Sequence, residues 1–228
     1  MMARLIQGGI LFQHIPRTGG TWTEAAIARG NIPSSSWLMK QAKHLPKKHA
    51  LLSHYNRNQL HQIRRVFTFV RHPIAYYEST WKWMRIHGTN VNRFDRTWHP
   101  FLSAAVQYRE SGGGFDDWVF LMLSREPLWF TRLIEQYVGP KGGEFCNFIG
   151  RTESLNADFI KAMEHFKIPL DDEKKTAIRA LQQENDIRYE VQWSGDLMSK
   201  MLESEQSVVD RFYGEETLNR RVYCDGRV

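Results

Sequence analysis

The residues best suited to chemistry lie in two short segments. Phe12–Trp22 reads FQHIPRTGGTW, an apolar run followed by a proline-punctuated turn, paired glycines and a threonine that opens a helix-like stretch. Glycines let backbone N–H groups approach an anion, and a helix N-terminus adds oriented donors and a favourable dipole. The segment has neither the G-x-x-x-x-G-K-[ST] order of a Walker loop nor the G-x-G-x-x-G order of a dinucleotide fingerprint. It reads as a cradle for phosphate or sulfate, or as a tight strand-to-helix turn with incidental glycines. The second segment, Val66–Trp81, reads VFTFVRHPIAYYESTW and sets a serine eight residues after an arginine. Arg71 offers a charged fork and Ser79 a helix-borne hydroxyl, two donors that suit one phosphate group.

The elements that must position these residues follow from local pattern. Ile10–Gln13 is a short apolar run. Val66–Val70 is β-branched and aromatic without polar alternation, the pattern of a strand buried on both faces of a parallel sheet. His72-Pro73 ends that strand, and a proline at a first helical position starts a helix over Ile74–His87, closed by Gly88. Phe145–Ile149 is a third strand candidate. Helical patterns occupy Thr21–Arg29, Glu153–Phe166, Asp171–Glu184 and Asp196–Tyr213, while Gly112–Gly114 and Gly139–Gly143 mark loops. Strands alternating with helices predict an α/β fold, a three-layer sandwich with a central parallel sheet, as one domain over 1–228. Ligands of such sheets bind beyond the carboxyl ends of the strands, where both segments end.

Composition narrows the functional classes. At 228 residues, 42% hydrophobic and 25% charged, the chain can bury a core without disulfide or metal staples. No run approaches the roughly 18 apolar residues that a membrane helix needs. The N-terminal MMARLIQGGILFQ lacks the long apolar region and cleavage site of a secretion signal. Two distant cysteines, Cys146 and Cys224, suit a reducing compartment and suggest neither a zinc site nor a disulfide framework. The expectation is a soluble, cytoplasmic protein with no membrane partner and no metal. Charge is uneven: residues 1–77 carry 11 Lys/Arg against one acid, and residues 151–228 carry 12 against 16. Between Ala25 and Tyr77 stand nine Lys/Arg and five His without one carboxylate. Such a region favours a polyanion (nucleotide, phosphate, sulfate or nucleic acid) or is a solvated basic face.

Taken together, HIPRTGGTW and FVRHPIAYYES resemble the two cofactor motifs of the sulfotransferases that use 3′-phosphoadenosine 5′-phosphosulfate (PAPS). The first is similar to the family's 5′-phosphosulfate loop, the second to its 3′-phosphate motif. A weaker likeness at Phe148–Phe159, FIGRTESLNADF, matches a late strand-and-helix segment of bacterial members, whereas Lys82–Glu144 matches nothing recognisable. The resemblance implies a P-loop-like sulfotransferase architecture with PAPS as co-substrate. Thr18, Gly19, Gly20 and Thr21 would hold the 5′-phosphosulfate, and Arg71 and Ser79 the 3′-phosphate. Trp22 would stack on adenine, or else pack as a core residue. Arg17 departs from the family's usual lysine; it keeps the charge but is planar, bulkier and permanently protonated. In this role it would bind and stabilise the leaving phosphate electrostatically. Arg151 and Glu153 would order the adenosine end or form a structural ion pair.

Sulfuryl transfer also needs a base for the acceptor's proton. The candidates are His44, His49, His54 and His61, among which the sequence alone does not choose. The resemblance favours His49, with Lys47 beside it, because members carry a Lys-His element at a similar distance before the 3′-phosphate arginine; His54 is the alternative. Imidazole suits the task, since its ordinary pKa lies near neutrality. Trp81, Trp83, Met84, His87 and Trp98 would line an acceptor cleft for a small molecule or sugar, or form packed core. Three other functions compete. A nucleotide or phosphate kinase would need the Walker Lys-Ser/Thr pair and a magnesium-binding Asp, which are missing. A nucleic-acid binder lacks any recognisable signature and has its basic stretch interrupted by a buried strand. A non-catalytic nucleotide binder is the third, suggested by Arg17.

Overall fold

The computed structural model describes residues 3–35, 51–87, 113–141, 143–182 and 190–214. The chain opens with a hairpin in which Arg4–Ile6 (β1) and Ile10–Phe12 (β2) pair antiparallel, Leu5 opposite Leu11. In the turn between them Gly8 and Gly9 take φ of 78° and 75°, a left-handed backbone that glycine adopts without a Cβ penalty. Ser34–Ser35 (β3) pairs antiparallel with the other side of β1. Arg65–Val70 (β4) lies parallel to β2, and Phe148–Arg151 (β5) parallel to β4, giving the order β3-β1-β2-β4-β5. The fold is therefore α/β, but its sheet is mixed and not wholly parallel. The physical reason is the glycine pair, which turns the chain back within three residues where a parallel neighbour would need a long crossover.

Among the described residues the helices are Gly20–Arg29 (α1), Arg57–Leu60 (α2), Pro73–His87 (α3), Phe115–Arg125 (α4), Trp129–Val138 (α5), Leu155–His165 (α6), Asp172–Arg179 (α7), Gly195–Ser204 (α8) and Gln206–Phe212 (α9). Strand side chains alternate between clusters, as the pleat requires. Phe12, Phe67 and Phe69 pack with Trp22 and Ile27 of α1, Phe159 of α6 and Ile178 of α7. On the opposite face Leu11 and Val66 pack with Ala3 and Tyr55, while Val70 joins a larger cluster with residues of α3, α4, α5, α8 and α9. Rings of Tyr77, Trp118 and Trp129 form the centre of that cluster, 5.3–6.1 Å apart. No helix among the described residues is long and apolar enough to cross a membrane.

Three boundaries depart from the sequence pattern. The third strand starts at Phe148, because Asn147 spends its amide on β4: its N–H donates to Val66 O and its Oδ1 accepts from Val66 N. Helix α7 ends at Arg179, with Ala180 as its cap. The expected helix over Asp196–Tyr213 breaks at Glu205, which is wholly buried. Its carboxylate accepts from Tyr77 Oη (2.9 Å), Phe130 N (3.1 Å), Thr131 N (2.8 Å) and Thr131 Oγ1 (2.7 Å). Helix α5 has no capping side chain of its own, so Glu205 satisfies N–H groups that the first turn leaves open. Burial pushes the Glu205 carboxyl above its ordinary range, opposed by these four donors.

Candidate functional site

The two segments singled out by sequence meet at one end of the sheet. Strands β2 and β4 are parallel neighbours, with Phe12 opposite Phe67. Beyond them Gln13 N donates to Phe67 O, and Thr68 Oγ1 returns a bond of 2.7 Å to Gln13 O. The loop after β2 then turns on Arg17, a non-glycine residue at φ 60°. Thr18 is buried and its hydroxyl donates to Ile15 O at 2.8 Å, closing the turn. Gly19 is the N-cap of α1 at φ 83°, and a Cβ there would also come within 2.6 Å of Leu155. At Gly20 a Cβ would run into the His14 imidazole. The glycine pair thus serves close packing, and the N-cap residue, Gly19, offers no side chain to the helix that follows. Thr21, in that first turn, is exposed.

Arg17, Ser79 and Arg71 form one hydrogen-bonded group. Arg17 Nη2 donates to Ser79 Oγ at 2.7 Å and to Ser79 O at 3.2 Å, and Arg17 Nε to Ser79 Oγ at 3.1 Å. Arg71 Nη1 donates to the Arg17 carbonyl at 3.1 Å. Residues assigned to opposite ends of a nucleotide by the sequence reading are therefore in direct contact, Arg17 lying on the α3 serine. Arg71 Nε is buried with no hydrogen-bond partner. Burial lowers the Arg71 pKa, with the carboxylates of Glu153 and Glu78 opposing, and a guanidinium stays charged in any protein setting.

Two carboxylates act on Arg71: Glu78, inside the second motif, and Glu153, brought in from the segment after β5. Glu153 accepts from His72 N through Oε1 (2.9 Å) and from Tyr213 Oη through Oε2 (3.0 Å). Glu78 Oε1 accepts from the Trp193 indole at 3.0 Å. The segment after β5 is fastened to the same end by Thr152 Oγ1, which donates to Val70 O at 2.9 Å. Arg151 lays its guanidinium over the Tyr213 ring, 5.5 Å from the centroid. Its backbone N–H donates to Asp158 Oδ2, which also accepts from Ser154 Oγ. Burial raises the Asp158 pKa, but the bonds from Ser154, Arg151 N and Lys161 outweigh it and leave the carboxyl below its ordinary range.

Other expected site residues take different places. Trp22 is 6% exposed, packs edge-on against Phe159 at 5.8 Å and donates its indole N–H to Leu181 O. It is a core residue, and the adenine-stacking role is corrected accordingly; the physical reason is that it shares the buried face of α1 with Ala26. Trp81 is likewise core, edge-on to Phe115 at 5.7 Å, while Trp83 and Met84 are half-buried. The favoured base His49, with Lys47 and His44, lies outside the described residues, as do Trp98 and the His87 side chain. His54 Nδ1 accepts from Leu51 N at 3.2 Å within its own turn, and His61 caps α2.

The sequence reading missed Tyr76 and Thr80, which share the Ser79 face of α3 at helical spacing and are both buried. Sequence held that signal in the i, i+3, i+4 pattern of hydroxyl residues. Two guanidiniums, an uncapped helix N-terminus and a cluster of buried hydroxyls suit the stabilisation of a tetrahedral oxyanion. No group of three or more His, Cys, Asp or Glu among the described residues is placed to hold a metal. Comparison with protein-family models, curated proteins and solved structures finds nothing that matches the chain.

Proposed function

We propose that this chain is a PAPS-dependent sulfotransferase, a single-domain cytoplasmic enzyme with a three-layer, P-loop-like sulfotransferase architecture. The observation that carries this reading is the Arg17–Ser79–Arg71 group at the carboxyl ends of β2 and β4, built from two motifs 54 and 62 positions apart in sequence. A loop, a following helix N-terminus, an arginine and a helix-borne serine converge where an open α/β sheet binds its ligand. The acceptor is a hydroxyl or amine of a small molecule or carbohydrate, and neither a metal nor a nucleic acid takes part.

The reaction is an in-line displacement at sulfur. The acceptor oxygen or nitrogen forms its bond to sulfur as the bond from sulfur to the phosphate oxygen breaks, and 3′,5′-ADP leaves. Arg17 and the N–H groups at Thr18–Thr21 stabilise the negative charge that grows on the departing phosphate. Arg17 acts as a fixed charge and not as an acid, because a guanidinium keeps its proton. Arg71 and Ser79 hold the 3′-phosphate and Arg151 the adenosine end. His49, assisted by Lys47, takes the acceptor's proton.

The test is incubation of the full chain with PAPS and a library of phenols, alcohols, amines and sugars, read by mass spectrometry. The expected result is one acceptor class gaining a single SO3 group with equimolar release of 3′,5′-ADP. Phosphate transfer from ATP with no use of PAPS would replace this reading with a kinase.

A further inference from the structure

Helix α3 carries two buried hydroxyl groups that no group other than each other engages among the described residues. Tyr76 is fully buried and Thr80 is 4% exposed; the two hydroxyls act on each other along the helix, and among the described residues neither Tyr76 Oη nor Thr80 Oγ1 meets any other hydrogen-bond partner. Buried polar groups are almost always paired, and an unpaired one weakens the fold. The ring of Tyr76 has a clear structural reason: it packs on Phe130 at 4.3 Å and Trp129 at 5.6 Å. A phenylalanine would satisfy both contacts, so packing explains the ring and leaves the hydroxyl unexplained.

The position of these groups supplies an explanation. Tyr76, Ser79 and Thr80 stand at i, i+3 and i+4, which puts all three on one helix face. Ser79 on that face holds Arg17, whose carbonyl holds Arg71. Both guanidiniums act electrostatically on the Tyr76 phenol, Arg17 more strongly than Arg71. Burial keeps the phenol protonated by raising its pKa, so Tyr76 can only donate to an anion. The Thr80 hydroxyl is likewise a donor that rotates to suit. Arg71 Nε is a third buried donor without a partner at the same place.

We propose that Tyr76 Oη and Thr80 Oγ1 are binding groups for a tetrahedral oxyanion held between Arg17 and Arg71, and that the anion completes their hydrogen bonding. The inference rests on the proposed function only for the identity of that anion, a phosphate or sulfonate group of the nucleotide. An oxyanion entering this place draws the Arg17 guanidinium off Ser79 and exposes three hydroxyls of one helix face to its oxygens. No bond is made or broken by either residue.

The test uses the full chain with Tyr76→Phe, Thr80→Val and the double variant, titrated by calorimetry with 3′,5′-ADP and separately with inorganic sulfate, and melted without ligand. Each single substitution should weaken 3′,5′-ADP by roughly tenfold or more, the worth of one hydrogen bond to a charged group, and the double variant more. Melting temperatures of the unliganded variants should be nearly unchanged or higher, because each buried hydroxyl removed has at most its helix neighbour as a partner. Unchanged affinity in both single variants, or a fall in melting temperature with unchanged affinity, would overturn the inference while leaving the sulfotransferase reading intact. Should the wild type bind sulfate but not 3′,5′-ADP, with Tyr76→Phe weakening sulfate, the nucleotide reading fails and this one holds. If the wild type binds neither probe, both fail.

Discussion

Arg71→Ala separates a ligand contact from a structural one. The side chain has two tasks in the structure: it donates to the Arg17 carbonyl at 3.1 Å, and it holds a second buried nitrogen, Nε, with no protein partner. If Nε and its neighbours serve a 3′-phosphate, removing them costs a charge-assisted hydrogen bond, about 1.5–3 kcal/mol, or roughly 10- to 150-fold in 3′,5′-ADP affinity. Adenosine 5′-phosphosulfate has no 3′-phosphate and should feel only the loosened loop. The bond lost to the Arg17 carbonyl is charge-assisted but internal to the protein. It reaches this nucleotide only through the loop, so the loss should stay within roughly fivefold, about 1 kcal/mol. Calorimetric titration of both nucleotides into wild type and variant reads the difference directly, and Arg71→Lys checks it where the alanine variant folds poorly. The lysine keeps the charge without the fork and should fall between the two. Equal losses for both nucleotides would show that Arg71 only props the loop, and the 3′-phosphate assignment would go.

Three more expectations concern other parts of the molecule. Glu205→Ala should lower unfolding free energy in urea by at least about 3 kcal/mol, because it leaves the donors of Tyr77, Phe130 and Thr131 buried and unmatched; a loss below 1 kcal/mol would mean that the break at Glu205 has another cause. Asp158 is depressed in the folded state, so the unfolded chain takes up its proton first as pH falls. Its contribution to stability is present above the ordinary Asp range and declines as pH drops through the folded value. Asp158→Asn should flatten that acid limb of a pH-dependent melting series, and an unaltered limb would assign it to other carboxylates. His49→Ala should lower kcat by roughly 10²- to 10⁴-fold with PAPS affinity nearly intact. Loss in His54→Ala alone would move the base to His54, and normal rates in both variants would place it elsewhere.

Sequence showed the β–α units that position the site because their signals are local. VFTFV can only be a doubly buried strand, and it is one. Reading both runs as members of one sheet made β2 and β4 neighbours or near-neighbours, and they pair directly. The hairpin of β1 was equally local: LIQGGILF sets paired glycines between apolar runs. Reading Ile10–Gln13 as a strand but the residues before it only as part of a possible leader hid β1 and made the sheet look wholly parallel. Glu205 was not legible, and Glu153 was legible only as a neighbour of Arg151, because the partners of each lie more than 50 positions away. The acid-free stretch from 25 to 77 likewise drew attention from Glu78, one residue beyond it, and from Glu153, which the fold brings to Arg71. Trp22 could be read as a nucleotide platform or as core, and only packing against Phe159 decides the matter.

The central claim is that the group around Arg17, Ser79 and Arg71 selects a nucleotide by its 3′-phosphate. It is tested most directly by calorimetric titration of the wild-type full chain with 3′,5′-ADP, 5′-AMP and ATP under one buffer. The account predicts that 3′,5′-ADP binds at least roughly tenfold more tightly than 5′-AMP, the worth of one charge-assisted hydrogen bond, and more tightly than ATP. Equal affinity for 3′,5′-ADP and 5′-AMP, or a preference for ATP, would contradict it.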